Sequence, residues 1–263
     1  MNTYAASKHR SENGLLLVGH GTRDAEGLRE MLAVCELVAR SLPEVAVEPC
    51  FLELAQPNIA QGLAAVTARG VKQLTVMPLL LFSAGHARRD IPATVAQAAK
   101  DYPGLEIRQT ETLGCEPALL ELSKLRYLEA LAGRPEMAPE QTLLLMVGRG
   151  SYEAEANAEM AKFARLRWEG LPVGWLELSF TAMTRPLLSD ALPKVAALGF
   201  PRIVVQPHLL FSGELLSRVT QETASFAESC PDQQYIVTGQ LGVHQLLAEA
   251  IVAKVSIAIA ACR

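Results

Sequence analysis

Three side chains stand out by type and position: His20, Glu53 and His86, each 33 residues from the next. His20 lies between Gly19 and Gly21, directly after an apolar run, and His86 follows Gly85 a few residues beyond a second apolar run. Two imidazoles and a carboxylate make a donor set for a borderline divalent ion such as cobalt, iron, nickel or zinc. The same groups can accept protons near neutral pH. Each also has a plainer use: a lone histidine can cap a helix or fill a turn, and a glutamate can bond loop amides. What favours chemistry is that all three fall at the ends of strands that one sheet would bring together.

The elements that must position them follow from hydrophobic period. Residues 15–18 (LLLV) read as a buried parallel strand. Residues 23–40 carry apolar side chains at helical spacing. Further strands are expected at 45–52, 72–81 and 106–110, with helices after Pro57 up to Gly70, from about Asp90 with Pro92 in its first turn, and over 116–131. Repeated strand–helix alternation with short connections implies a parallel sheet with helices on both faces. In such sheets ligands bind at the carboxyl ends of the strands, where His20 is expected.

The pattern then restarts. Residues 132–140 (AGRPEMAPE) form a linker-like segment, and LLLMVGRG (143–150) repeats LLLVGHG (15–21). PHLLFS (207–212) repeats PLLLFS (78–83). The chain therefore reads as a short tail (1–13), one α/β domain (14–131), the linker (132–140) and a second, similar domain (141–263), a duplication too long in period for a solenoid. Two such domains are expected to face each other across a cleft, which would serve as a binding site. At the three marked positions the second half is expected to carry Arg149, Glu177 (from a shared LEL) and, with a one-residue gap, Glu214. Only the first half thus has both histidines.

Composition excludes several classes. Half of the 263 residues are hydrophobic and the net charge is −4, which gives no basic stripe for nucleic acid. No apolar run is long enough to span a membrane, and the polar start has no signal-peptide core, so a cytoplasmic protein is expected. The five cysteines are scattered without a C-x-x-C pair and read as reduced, mostly buried thiols. Gly19-His20-Gly21 begins like a dinucleotide fingerprint, but Asp24 stands where its third glycine belongs, so no such cofactor is expected. Arg23, Arg88 and Arg89 either are solvated first-turn residues or meet acidic groups of a ligand at the cleft mouth. His208 stands where the first half has Leu79 and reads as a core or interface histidine; His9 lies in the tail, and His244 begins the last helix.

Three segments in order, LLLVGHGTRD (15–24), FLELAQPNI (51–59) and VMPLLLFSAGHARRDIP (76–92), resemble the class II tetrapyrrole chelatases of the CbiX and SirB type. The resemblance runs from Gly14 to about the C-terminus and matches the long, duplicated members. It implies two chelatase-like domains of flavodoxin-like architecture and a lyase that inserts a divalent metal into sirohydrochlorin, a tetrapyrrole with eight carboxylate side chains. The cobalt product would lead to cobalamin and the iron product would be siroheme, with cobalt the first expectation. It further implies metal handling by His20 and His86, with Glu53 as third participant. Arg23, Ser83, Gly85, Arg88 and Arg89 are the candidate substrate-binding residues. The metal is expected as a substrate, with no tightly bound cofactor, and the protein as a monomer. A siroheme ferrochelatase and a non-catalytic metal carrier are the alternatives, and only an assay separates them.

Overall fold

A computed structural model describes residues 11–260. Two four-stranded parallel sheets form, one per repeat. The first takes β1 (Asn13–Gly19), β2 (Ala46–Phe51), β3 (Gln73–Pro78) and β4 (Glu106–Gln109) in the order β2-β1-β3-β4. Between them run α1 (Ala25–Ser41), α2 (Ile59–Ala68) and α3 (Ile91–Ala98), and α4 (Pro117–Leu131) follows β4. In the second, β5 (Thr142–Gly148), β6 (Trp175–Phe180), β7 (Arg202–Pro207) and β8 (Gln234–Val237) take the order β6-β5-β7-β8. Its helices are α5 (Ala154–Glu169), α6 (Leu188–Ala197), α7 (Glu214–Ala227) and α8 (Gln245–Ala260). The expected α/β duplication is therefore present. This strand order places a topological switch point between β1 and β3, and between β5 and β7, because the chain leaves the first strand toward one edge and returns on its other side.

Strand β1 is central and its apolar residues Leu15, Leu16, Leu17 and Val18 are fully buried. Alternation divides them between the two faces: Leu16 and Val18 join Ile59, Leu63 and Val66 of α2 and Ile91 and Val95 of α3 in one core cluster. Several ends differ from expectation for local reasons. Pro57 does not open α2; it lies in a cis Gln56–Pro57 bond, and Asn58 caps the helix by accepting the Gln61 N–H at 2.9 Å while Gln61 Oε1 accepts the Asn58 N–H at 2.8 Å. The helix expected from about Asp90 begins earlier, with a wide π-type turn over His86–Asp90 leading into α3. His86 therefore sits on a helical turn and not in the loop before it.

The compact units do not follow the repeat boundaries. Among the described residues, one comprises 11–118 and 243–260, the other 119–242. Thus α4, the last helix of the first repeat, belongs with the second sheet, and α8 with the first. Buried polar groups show why. Ser123 on α4 accepts the Arg167 Nε–H at 2.9 Å, and its carbonyl accepts the Gln206 Nε2–H at 2.6 Å, pinning α4 to α5 and β7. In the other unit α8 lies on α1, and Lys254 of α8 pairs with Glu116 at 3.1 Å.

Candidate metal centre

The site grows out of the carboxyl ends of β1, β2 and β3. The β1–β2 ladder continues past the strands: Leu52 N–H donates to Gly19 C=O at 2.9 Å and Glu53 N–H to His20 C=O at 3.0 Å. The two glycines let this happen. A Cβ on Gly19 would lie 2.5 Å from Met31 Sδ of α1. Gly21 has φ +98°, and a Cβ there would lie 1.7 Å from the Glu53 carbonyl oxygen. The loop bearing Glu53 can therefore rest against the loop bearing His20 only because residue 21 is glycine. Strand β3 lies on the other side of β1, across the switch point, and delivers His86 through the π-type turn.

His20, Glu53 and His86 converge so that one donor atom from each lies within 4.8 Å of the others. His20 Nε2 is 3.1 Å from Glu53 Oε1, and the two imidazoles meet edge to face with centroids 4.8 Å apart. All three are part-exposed, as a site open to an incoming ion must be. Donor atoms bound to one ion at about 2.1 Å lie about 3.0–3.4 Å apart at octahedral or tetrahedral angles, so the set must draw in by about 1.5 Å at its widest to hold one ion. Three protein donors leave positions open, unlike a closed structural site.

Hydrogen bonds fix what the rings present. His86 Nδ1 is 2.8 Å from Asp90 Oδ2, so Nδ1–H donates to the carboxylate and the Nε2 lone pair is left for a cation. His20 has an oxygen acceptor at each nitrogen: Gly21 C=O 3.2 Å from Nδ1 and Glu53 Oε1 3.1 Å from Nε2. A neutral ring has one N–H and cannot satisfy both. With Nδ1–H given to Gly21, Nε2 and the carboxylate face each other as two electron-pair donors, an arrangement completed by a proton or a metal ion. Asp90 was not among the residues singled out from the sequence. Its only signal was the four-residue spacing from His86, which matters only if that stretch is helical.

The other candidates are less converged. Arg23 is exposed just before Asp24, and Asp24 caps α1 by accepting the Gly27 N–H at 2.7 Å. A carboxylate thus occupies the helix end at which a dinucleotide phosphate would sit. Arg88 and Arg89 are exposed on the π-type turn with His86, whose preceding residue, Gly85, has helical φ and ψ. Ser83 is hydrogen-bonded to Thr112 at 3.1 Å, which ties the loops after β3 and β4 together. His208 is buried against the Phe163 ring, with centroids 4.0 Å apart. Burial, with the Arg167 charge second, pushes its pKa down to about 3, so it is a neutral core histidine as expected. His244 Nδ1 accepts the Leu246 N–H at the start of α8. His9 and Cys262 lie outside the described residues. Cys35 and Cys50 are buried, and burial raises both thiols far above the usual range, so neither offers a thiolate.

Comparison of the two repeats corrects two expected matches. Register places Gly148 opposite Phe180 as it places Gly19 opposite Phe51, so Arg149 stands for His20 as expected. Glu177 pairs with Leu145 as Glu48 pairs with Leu16; the counterpart of Glu53 is Ala182, reached by the same hydrogen bond, Ala182 N–H to Arg149 C=O at 3.1 Å. Ser217 N–H donates to Gly213 C=O as Arg88 N–H does to Ala84 C=O, so the counterpart of His86 is Leu215, and Glu214 stands at Gly85. The second repeat has replaced all three donors by arginine, alanine and leucine. Because Ala182 stands at the place of Glu53, the carboxylate is not a scaffold feature shared by both halves.

The family model described as CbiX matches residues 14–130 and again 143–258. The chain belongs to the CbiX family. A sirohydrochlorin cobaltochelatase of Priestia megaterium is 31% identical over 234 residues, covering 89% of this chain and 76% of the relative. A sirohydrochlorin ferrochelatase of the same organism is 29% identical, covering 90% and 86%. Among solved structures, SirB from Bacillus subtilis with Fe3+ superposes with a TM-score of 0.83 at 26% identity, covering 93% of this chain and 94% of that one. This CbiX chain is thus a duplicated member whose donor cluster lies in its first repeat. Among the described residues no helix is long and apolar enough to cross a membrane.

Proposed function

We propose that this CbiX protein is a sirohydrochlorin chelatase that inserts Co2+ in cobalamin biosynthesis, with the metal a substrate and not a resident cofactor. The observation that carries this reading is the open three-donor cluster of His20, Glu53 and His86 on a chain 31% identical to a cobaltochelatase. His20 and His86 bind the ion through Nε2, Glu53 offsets its charge, and Asp90 holds the His86 ring in the ligating tautomer. Insertion exchanges one M2+ for two pyrrole N–H protons. As the ion leaves for the macrocycle, the freed imidazoles and the Glu53 carboxylate are acceptors for those protons. Arg23, Arg88 and Arg89 meet substrate carboxylates, with Ser83 and Gly85 shaping the loop beside them. The enzyme acts as a cytoplasmic monomer, with catalysis confined to the first repeat.

A ferrochelatase is the second reading, favoured by the 29% identity to a relative of that activity, and nitrogen and carboxylate donors do not themselves choose between the two ions. The test is to mix purified protein with sirohydrochlorin and Co2+, Fe2+ or Ni2+ and follow the macrocycle absorption. Fastest insertion of Co2+ supports the first reading and fastest insertion of Fe2+ the second. Metal binding without any insertion above the protein-free rate would leave a metal carrier and overturn both.

A further inference from the structure

The residue after Glu53 breaks a local rule. Leu54 has φ +62°, and Ala55 N–H donates across it to the Glu53 C=O at 2.8 Å, closing a three-residue γ-turn with a left-handed centre. That turn is rare and strained, and at its centre a bulky side chain is far less favourable than glycine or asparagine. Leu54 gains no core packing in return: 51% of it is exposed, whereas Leu52, two residues earlier, packs on the core beneath.

The second repeat builds the same device. Met183 has φ +65°, Thr184 N–H donates to Ala182 C=O at 2.7 Å, and Met183 is 43% exposed. There the preceding residue is Ala182, which has no ligating side chain, so a large apolar apex persists where no ligand carboxylate remains. The apex therefore does not serve metal coordination. A strained position that keeps a large apolar side chain in solvent is explained if something outside the chain covers it.

Leu54 is also held firmly. The Glu53 carbonyl that closes the turn is the atom that Gly21 makes room for, and the Glu53 N–H is bonded to His20. The apex is thus fixed beside the donor cluster, one peptide from a donor residue.

We infer that Leu54 is a substrate-contact residue whose side chain packs on the apolar face of the tetrapyrrole ring. This rests on the proposed chelatase function. An ion passing from His20, Glu53 and His86 to the centre of a flat macrocycle requires the ring face to lie over those donors. A side chain bonded to the next Cα, about 3.8 Å along, then reaches the conjugated surface. The peripheral carboxylates would go to cations, leaving the face to an apolar group.

The test compares the parent with Leu54→Gly, Leu54→Asn and Leu54→Met in three measurements: fluorescence titration with metal-free sirohydrochlorin, Co2+ binding without macrocycle, and the melting temperature. Glycine and asparagine suit the left-handed turn, so both variants should melt at or above the parent temperature and bind Co2+ as before. Burying the exposed half of a leucine corresponds to a Kd for sirohydrochlorin about tenfold weaker in both, with Leu54→Met close to the parent. A sirohydrochlorin Kd within twofold of the parent in Leu54→Gly and Leu54→Asn would overturn the inference while leaving the chelatase reading intact. So would a loss of macrocycle affinity matched by loss of Co2+ affinity and a lower melting temperature, the signature of a structural role. If the parent itself binds no sirohydrochlorin, the chelatase reading falls and the inference falls with it.

Discussion

Replacing Asp90 by alanine removes the acceptor 2.8 Å from His86 Nδ1 and touches no atom placed against the metal. The consequence lies in how the free ring behaves. With the carboxylate present, the proton is held at Nδ1 and Nε2 carries the lone pair; without it, the ring exchanges tautomers and turns about χ2, so fewer conformers can ligate. A buried charge-assisted hydrogen bond contributes about 1.5–3 kcal/mol. Here the side chains are 35% and 52% exposed, so solvent competes and about 1 kcal/mol remains, roughly a fivefold to tenfold weaker Co2+ Kd. That is near the lower end of the range for outer partners of metal-bound histidines. As a four-residue helical pair it contributes only about 0.3–0.5 kcal/mol to folding, so the melting temperature should barely move. Asp90→Asn keeps an oxygen that can accept from Nδ1–H but lacks the charge, and should fall between parent and Asp90→Ala. Calorimetric titration with Co2+ in the absence of macrocycle reads the effect directly. A Co2+ affinity within twofold of the parent in Asp90→Ala, with the fold intact, would refute the tautomer argument.

Other expectations follow from the same geometry. Equilibrium dialysis should find one Co2+ per chain held at the three-donor site, and Arg149→His should leave the count at one because Ala182 and Leu215 supply no further donors; a second ion of similar affinity would contradict this. Gly21→Ala should lower stability by about 3 kcal/mol, visible in denaturant melts, since the new Cβ combines a left-handed φ with a 1.7 Å approach to Glu53 O. Glu53→Gln should retain the fold and weaken Co2+ binding by about tenfold or more, as the carboxylate charge beside His20 Nε2 is lost; unchanged affinity would remove Glu53 from the donor set. His208 gives a pH effect of fixed sign. Its folded pKa, about 3, lies below the ordinary value of 6.5, so the unfolded chain binds the extra proton first. This contribution is complete above pH 6.5 and declines as pH falls towards 3, at about 1.4 kcal/mol per pH unit through the middle of that window. His208→Leu, which installs the residue found at the matching place in the first repeat, should flatten that slope in acid melts.

What could be read from the sequence and what could not divide along physical lines. The apolar run before Gly19-His20-Gly21 identifies a central strand because a parallel strand buried on both faces must be continuously apolar. The histidines are legible because glycine on their strand-end side marks where backbone comes close. The match of Glu53 to Glu177 failed because a three-letter LEL outweighs register in a linear comparison. In the sheet, register decides, and it slides Glu177 onto Glu48 and leaves Ala182 beside Arg149. Asp90 is hidden because a helix expected only from about Asp90 leaves His86 at the strand end before it, and a spacing of four has meaning only once both residues lie on one turn. The placing of α4 and α8 was equally out of reach. A helix after the last strand of either repeat can cover either sheet by its own periodicity, and the choice rests on buried tertiary contacts such as Ser123 with Arg167 and Gln206. Local pattern thus specifies the strand that carries His20, whereas the completeness of the donor set depends on pairings between residues far apart in sequence. That is why a second repeat could lose all three donors and still keep its strand order, its glycines at 148 and 150, and its left-handed turn at Met183. The scaffold is maintained by the sheet and the chemistry by three replaceable side chains.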